Sequence, residues 1–212
     1  MARRAPLTRP QIAQEALALI DAEGLDALTM RALGRRLGVE AMTLYHHFPS
    51  KGALLDAVTG LLFSEVEVPA AGDLVERMAG ALRSYRAVAV RHPSAFVLMT
   101  TRRAATEESF AAVERILSLC HEAGLDPATT ALVFRLGGYF AGGAGHAEIA
   151  SRGQIPDATP IVMDAFPAPE RFPRLAEAAP FLAVSQLDAL FEWGLGVVLA
   201  AFRAEVERAA AR

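Results

Sequence analysis

Apolar residues recur every three or four positions along most of this chain, the spacing that gives an α-helix one buried stripe. The pattern is clearest around Gly38, where two apolar pairs stand four residues apart, Leu33 with Leu37 and Leu44 with Phe48. It predicts two short helices joined by a tight turn at Gly38, because glycine adopts left-handed backbone conformations without strain. Ser50 is a good N-cap for a third helix that begins at Lys51. The sequence has no alternating strand pattern of useful length, so we expect an all-α protein.

The second of these short helices has a polar outer side. At about 100° per residue, the arc opposite Leu44 carries Met42, Thr43, His46 and His47, with Tyr45 at its flank. Threonine, histidine and tyrosine side chains hydrogen-bond to base edges and phosphates of DNA. The pattern therefore favours a DNA-binding helix-turn-helix. The alternative is an ordinary surface helix, which also carries polar residues on its outer side.

Residues 8–62 contain the motif Leu28-Thr29, Leu37-Gly38-Val39, Thr43-Leu44-Tyr45, His47-Phe48 and Lys51-Gly52-Ala53-Leu54-Leu55. In this motif the segment resembles the DNA-binding domain of the TetR family of bacterial transcriptional repressors. The rest, to about residue 210, resembles more loosely the helical regulatory domain of tetracycline repressors. The resemblance implies a three-helix helix-turn-helix domain over residues 1–66 and a larger helical ligand-binding and dimerisation domain over residues 67–212. It further implies a transcriptional repressor that a small molecule releases from DNA.

The resemblance also implies where DNA is contacted. It assigns base and phosphate contacts to Arg31, Ala41, Met42, Thr43, Tyr45, His46, His47 and Lys51. Ala41 and Met42 stand where the tetracycline repressor has a polar residue and a proline, so we expect a different operator sequence. One recognition helix reads too few bases to single out a site in a genome, so we expect a homodimer on a palindromic operator.

Caps, prolines and glycines divide the chain into further helices. Helices are predicted to begin after the capping residues Thr8, Asp73, Thr106 and Asp126, and a last one to span residues 181–208. Residues 152–180 contain six prolines and predict a loop, with at most one helical turn at residues 174–179. Such a loop is either a flexible cover over the ligand cavity or an inert excursion.

Glycines at helical spacing suggest where two chains meet. Gly138, Gly142 and Gly145 fall on one helix face and leave a groove that a second helix can approach closely. With the last helix they predict a four-helix bundle between two chains, with contacts at Gly138, Gly142, Gly145, Phe191, Gly194, Leu195 and Val198. The alternative is an ordinary core within one chain. A phosphate-binding loop is disfavoured, because no strand precedes the glycines and no Lys-Ser or Lys-Thr follows them.

Large side chains around the predicted regulatory core are candidates for a ligand pocket, and the alternative for each of them is an ordinary core position. They are Phe63, Tyr85, Phe96, Met99, Phe110, Phe134, Tyr139 and Phe166. Glu67, Ala81 and Met99 stand where the tetracycline repressor uses polar and metal-coordinating residues. We therefore expect an uncharged or weakly polar hydrophobic effector, with no cofactor and no metal. The helix from Lys51 to Glu65 is the predicted lever between ligand and DNA.

Composition narrows the alternatives. The chain has 212 residues, of which 53% are hydrophobic, and a net charge of −3. No uncharged apolar run approaches the ~18 residues of a membrane span, and the first residues lack a signal-peptide pattern, so we expect a cytoplasmic protein. The five histidines are not spaced with carboxylates as a metal site, and no nucleophile motif is present, so we expect no enzyme. The remaining alternative is a helical interaction or ligand-binding module that does not bind DNA.

Overall fold

The computed structural model describes residues 6–154, 170–181 and 186–211. Within these ranges the chain is helical and contains no strand, which confirms the all-α prediction. The helices are α1 (Arg9–Glu23), α2 (Met30–Leu37), α3 (Ala41–His47), α4 (Lys51–Ser64), α5 (Leu74–Arg91), α6 (Val97–Thr101), α7 (Glu107–Glu122), α8 (Pro127–Ser151), α9 (Pro173–Ala178) and α10 (Leu187–Ala210). Short 3₁₀ turns lie at Leu25–Ala27 and Ala179–Phe181.

The helix starts follow local capping. The Thr8 hydroxyl accepts a hydrogen bond from the backbone N–H of Gln11, and the Gln11 side chain accepts one from the backbone N–H of Thr8. Asp73 caps α5 in the same reciprocal way, which satisfies N–H groups that have no partner inside the helix. The predicted start of the last helix is wrong: α10 begins at Leu187, and residues 179–181 form a separate 3₁₀ turn.

The first four helices enclose a small core of fully buried side chains, among them Ile20, Leu33, Leu44 and Leu54. Gly38 joins α2 to α3 with φ +68°, the left-handed conformation that the tight turn predicted. This core continues through Val88 of α5, Phe96 before α6 and Ile149 of α8. The N-terminal helices therefore share buried side chains with the larger part of the chain. The domain boundary at residue 66 stays a prediction.

A second core lies between α5, α7, α8 and α10. Leu82, Leu119, Ala141 and Phe202 are among its buried members. Cys120 also lies there, and burial raises the pKa of its thiol to about 11. No helix in the described ranges is long and apolar enough to cross a membrane.

The glycines of α8 pack against helices of their own chain. A Cβ atom on Gly145 would lie 2.7 Å from two ring carbons of Phe96, and one on Gly142 would lie 3.2 Å from Cγ2 of Thr100. Both glycines are buried, and they allow α8 to approach neighbouring segments of the same chain closely. The prediction that Gly142 and Gly145 form a contact between two chains is therefore wrong.

The same correction applies to part of α10. Phe191 stacks on Phe140 with ring centroids 5.2 Å apart, and Leu195 is buried in the same core. A Cβ atom on Gly194 would lie 2.6 Å from the Phe140 ring, so this glycine also serves packing within the chain. Phe191 and Leu195 are thus core positions, and the prediction that they contact a second chain is wrong. Gly138, Gly194 and Val198 are half-buried, and their part in a chain–chain contact stays a prediction.

Candidate nucleic-acid interface and internal cavity

One side of helix α3 is buried against the rest of the chain, and the other side is exposed to solvent. Leu44 and Phe48 are fully buried, whereas Met42 is 66% exposed and Tyr45 is 42% exposed. His46 is also exposed. The amphipathic pattern therefore places the tips of α3 outward, as the sequence predicted.

The remaining predicted contact residues lie around this exposed side. Ala41, Thr43 and His47 are half-buried, and Arg31 is exposed in the first turn of α2. That each of them contacts DNA stays a prediction.

Arg9 of α1 supports the end of α3. Its guanidinium lies 4.3 Å from the centre of the Phe48 ring and donates a hydrogen bond to the backbone carbonyl of His47. Arginine over an aromatic face is a stabilising cation–π arrangement. Sequence reasoning missed this contact, because the two residues are far apart in the chain.

The start of α4 is suited to an anion. The Ser50 hydroxyl accepts a hydrogen bond of 3.1 Å from the backbone N–H of Ala53, and Lys51 is exposed at the first helical position. The N-terminal end of a helix carries partial positive charge, to which Lys51 adds a full charge. This arrangement attracts an anion such as a phosphate group, and the contact of Lys51 with DNA stays a prediction.

A cavity of about 890 Å³ lies between α5, α6, α7 and α8 and is open to solvent, since its lining residues Phe110 and Tyr139 are exposed. Its volume is within the range that holds drug-sized molecules. Six of the predicted pocket residues line it: Phe63, Tyr85, Met99, Phe110, Phe134 and Tyr139. Their contact with a ligand stays a prediction.

Two other predicted pocket residues have different outcomes. Phe96 is fully buried and does not line the cavity, so that prediction is wrong. Its ring instead packs edge-on against Tyr85 at 5.8 Å and against His146 at 5.1 Å, and so supports two lining residues from behind. Phe166 lies outside the described residues.

The cavity wall carries a group of polar side chains next to Gly142. His146 Nε2 lies 3.0 Å from Thr100 Oγ1, and burial lowers the pKa of His146, so its imidazole is neutral near pH 7. Burial raises the pKa of Tyr85 to about 12, so its hydroxyl keeps its proton. These groups offer hydrogen bonds to oxygen or nitrogen atoms of a bound molecule.

Three arginines line the cavity as well: Arg102, Arg103 and Arg135. Sequence reasoning missed them, because it searched for large apolar side chains. The available signals were the Arg102-Arg103 pair directly after the short α6 and a lone arginine within the apolar α8. Among the described residues, no group of three His, Cys, Asp or Glu could hold a metal ion.

Arg102 connects the cavity wall to α4. Its Nη2 and Nε atoms lie 2.6 Å and 3.0 Å from Asp56 Oδ1, and Nη2 donates to the carbonyl of Gly52 at 3.0 Å. Gly52 directly follows Lys51 at the start of α4. A residue that lines the cavity is thus bonded to the first turn of the helix that presents Lys51.

A second polar contact joins the far end of α4 to α1 and α5. His92 Nδ1 lies 2.7 Å from Asp21 Oδ2, and its Nε2 lies 2.9 Å from Glu65 Oε1. One imidazole therefore bridges the N-terminal helices and the end of α5.

Helices α8 and α10 present an apolar surface to the outside. We call this surface the α8–α10 face, and its exposed members are Leu132, Leu136, Tyr139, Leu190, Trp193 and Val197. They recur at helical spacing on both helices. Contiguous exposed apolar side chains of this size mark an interaction surface.

Known proteins share the sequence pattern and the fold of this chain. A family model described as bacterial regulatory proteins, tetR family, matches residues 12–58. A second, described as tetracyclin repressor-like, C-terminal domain, matches residues 68–206. The tetracycline repressor protein class A from transposon 1721 of Escherichia coli is 31% identical over 204 residues, covering 89% of this chain and 87% of that protein.

Two further proteins are similar. The HTH-type transcriptional repressor DrrR1 of Streptomyces coeruleorubidus is 32% identical over 145 residues, which cover 65% of this chain and 53% of the repressor. This chain thus spans about half the length of DrrR1. The crystal structure of the Streptomyces coelicolor TetR family protein ActR in complex with actinorhodin superposes with a TM-score of 0.82 at 28% identity. That match covers 95% of this chain and 99% of ActR.

Proposed function

This chain belongs to the TetR family of bacterial regulatory proteins, and we propose that two copies of α3 hold it on a palindromic operator. It is a DNA-binding, ligand-responsive transcriptional repressor and acts as a homodimer. We also propose that it acts in the cytoplasm, where a bacterial operator lies, and that it catalyses no reaction.

One observation carries the proposal for α3: Met42 and Tyr45 are exposed on a helix whose opposite side is fully buried. Tyr45 offers a hydroxyl to phosphates or bases, and Met42 offers an apolar contact such as one to a thymine methyl group. Lys51 adds a phosphate contact beside the same groove. When the two α3 helices enter successive major grooves, the half-site centres lie ~34–36 Å apart.

The α8–α10 face is the surface that we assign to the second chain. Trp193 is 72% exposed, Leu132 is 69% exposed, and both lie on helices whose other sides are buried in their own chain. Pairing two such faces forms a four-helix bundle, which covers apolar side chains that a lone chain leaves in water. The proposed four-helix arrangement keeps Gly138, Gly194 and Val198 as predicted contacts and adds the exposed side chains of the α8–α10 face.

The cavity is the site that we assign to the effector. Its wall is mostly apolar and aromatic, which supports a largely apolar molecule, and ActR was crystallised in complex with actinorhodin. Arg102 gives such a molecule a route to the DNA-binding helices, because a change at the wall alters the bonds to Asp56 and Gly52. A coupling of ~1–3 kcal/mol is enough to change operator occupancy.

Selection of bound fragments from a random duplex pool tests the DNA-binding proposal. We expect the purified full chain to enrich a palindrome, and Tyr45→Ala to lose affinity for that sequence more than for unrelated DNA. Gln186→Ala, at an exposed position before α10, is the matched control and should bind as the parent does. If the parent enriches no sequence, the alternative of a helical module without DNA binding is correct. If it enriches a sequence without two-fold symmetry, the paired arrangement of α3 is wrong.

A further inference from the structure

The cavity wall carries charge of only one sign. Arg102, Arg103 and Arg135 line it, and no Asp or Glu is among the lining residues that the structure describes. Asp56, which does not itself line the cavity, forms a salt bridge with Arg102. In the described ranges Arg103 and Arg135 form no salt bridge. Because no acidic side chain among the described wall residues complements these cations, such a wall favours a ligand that brings a negative charge.

The three arginines differ in how many of their N–H donors already form hydrogen bonds within the chain. The Arg135 guanidinium donates a hydrogen bond to the Tyr139 hydroxyl and lies 5.4 Å from the centre of that ring. Arg102 bonds Asp56 and Gly52 through Nε and Nη2, and its Nη1 makes no hydrogen bond within the described part of the chain. Arg103 makes no side-chain hydrogen bond there and is exposed at the cavity. Within the described residues, all five N–H donors of Arg103 and the two on Nη1 of Arg102 are therefore unused, and the two residues are adjacent in the chain.

Resting on the proposed ligand response, we propose that the effector carries an anionic group, such as a carboxylate, which binds Arg102 and Arg103. We further propose that this anion weakens DNA binding by competing with Asp56 for the Arg102 guanidinium. This replaces the sequence-based expectation of an uncharged effector. The apolar wall still selects the rest of the molecule, so the chemical class is an aromatic acid.

The geometry supports this competition. A guanidinium has five N–H donors in a planar fork and binds a carboxylate through two parallel hydrogen bonds. A second carboxylate at Arg102 therefore draws the fork away from Asp56 and from the Gly52 carbonyl. Gly52 lies in the first turn of α4 and Asp56 in the second, so these two turns lose their attachment to the cavity wall. By reciprocity, DNA binding must weaken effector binding by the same factor.

A matched ligand pair tests the charge requirement. The probes are anthracene-2-carboxylate and anthracene-2-carboxamide, which differ in charge but little in shape, with binding measured by isothermal titration calorimetry on the full chain. We expect the carboxylate to bind about tenfold more tightly, which corresponds to about 1.4 kcal/mol. Arg103→Gln should remove most of this difference and leave the carboxamide affinity unchanged within about twofold. Arg174→Gln, an exposed arginine on α9, is the control and should change neither affinity.

The competition itself is tested at Asp56. Asp56→Asn weakens the hold on Arg102, so we expect the carboxylate to bind several-fold more tightly, with no such gain for the carboxamide. The carboxylate should release the Arg102→Gln variant from DNA less effectively than it releases the parent protein.

Three results would overturn the proposal. They are equal binding of carboxylate and carboxamide, loss of the difference in Arg135→Gln but not in Arg103→Gln, and no effect of Asp56→Asn. None of these results touches operator binding by the unliganded protein, so failure here is distinguishable from failure of the repressor function.

Discussion

Replacing Gly145 with alanine tests whether α8 packs within its own chain. The new methyl group would lie 2.7 Å from Cε1 and Cζ of Phe96 and 2.9 Å from Cβ of Ala89. Carbon atoms in contact normally lie about 3.5–4.0 Å apart, so the neighbours must move by about 1 Å. Phe96 is fully buried and held between the Tyr85 and His146 rings, which leaves it no free space.

Two opposing effects set the magnitude. Overpacking of a core costs about 1–3 kcal/mol, whereas alanine stabilises a helix interior by about 1 kcal/mol relative to glycine. Gly143→Ala on the same helix is the matched control, because its Cβ atom meets nothing within 4 Å. Both variants gain the helix preference, so the difference between them isolates the overpacking. We therefore expect Gly145→Ala to be about 1–3 kcal/mol less stable than Gly143→Ala.

Urea unfolding at one fixed protein concentration measures this difference, since the stability of a dimer depends on concentration. Equal midpoints and slopes for the two variants would refute the packing of Gly145 against Phe96. Such a result would support the alternative that the glycine spacing predicted, in which Gly145 lies on the outer surface and contacts a second chain.

The remaining predictions concern DNA binding, assembly and pH. Lys51→Ala should weaken binding to all DNA sequences. Because each lysine neutralises one phosphate, the slope of log K against log salt concentration should fall by about 0.9 per chain, or about 1.8 per dimer. An unchanged slope in fluorescence anisotropy titrations contradicts the phosphate contact. Trp193→Asp should shift the sedimentation coefficient towards that of the monomer, because dimerisation would bury a charge in the α8–α10 face. The control Met42→Asp should leave dimerisation intact. If Trp193→Asp dimerises as strongly as the parent, the α8–α10 face is not the dimer interface. Burial lowers the pKa of His146 below 6.5, so the folded protein binds fewer protons than the unfolded chain, and stability falls as the pH falls through 6.5. His146→Gln should flatten that part of the pH–stability curve, and an identical curve for the variant and the parent contradicts the assignment.

The helix-turn-helix could be predicted because its signals are local. The reciprocal cap at Thr8, the left-handed turn at Gly38 and the N-cap at Ser50 depend on residues within one turn of each helix. The apolar spacing around Leu44 then fixes which side of α3 is buried. None of these inferences needs knowledge of distant parts of the chain.

The contacts of α8 and α10 could not be predicted in the same way. Both helices are apolar on more than one side, and periodicity reveals a buried side without saying which partner buries it. Gly145 and Phe191 therefore looked like contacts between chains, although each packs inside one chain. Arg102 was missed for the related reason that its partner Asp56 lies on another helix, 46 positions away.

The continuous core that joins α1–α4 to α5, α6 and α8 restricts how the protein can change shape. Val88, Phe96 and Ile149 are buried together with side chains of the N-terminal helices, and His92 bonds both α1 and the end of α4. Any rotation of helices α1–α4 relative to α5, α6 and α8 must slide these packed surfaces past one another. We therefore expect the movement between bound and released forms to be a shear of small steps between well-packed arrangements and not a free hinge.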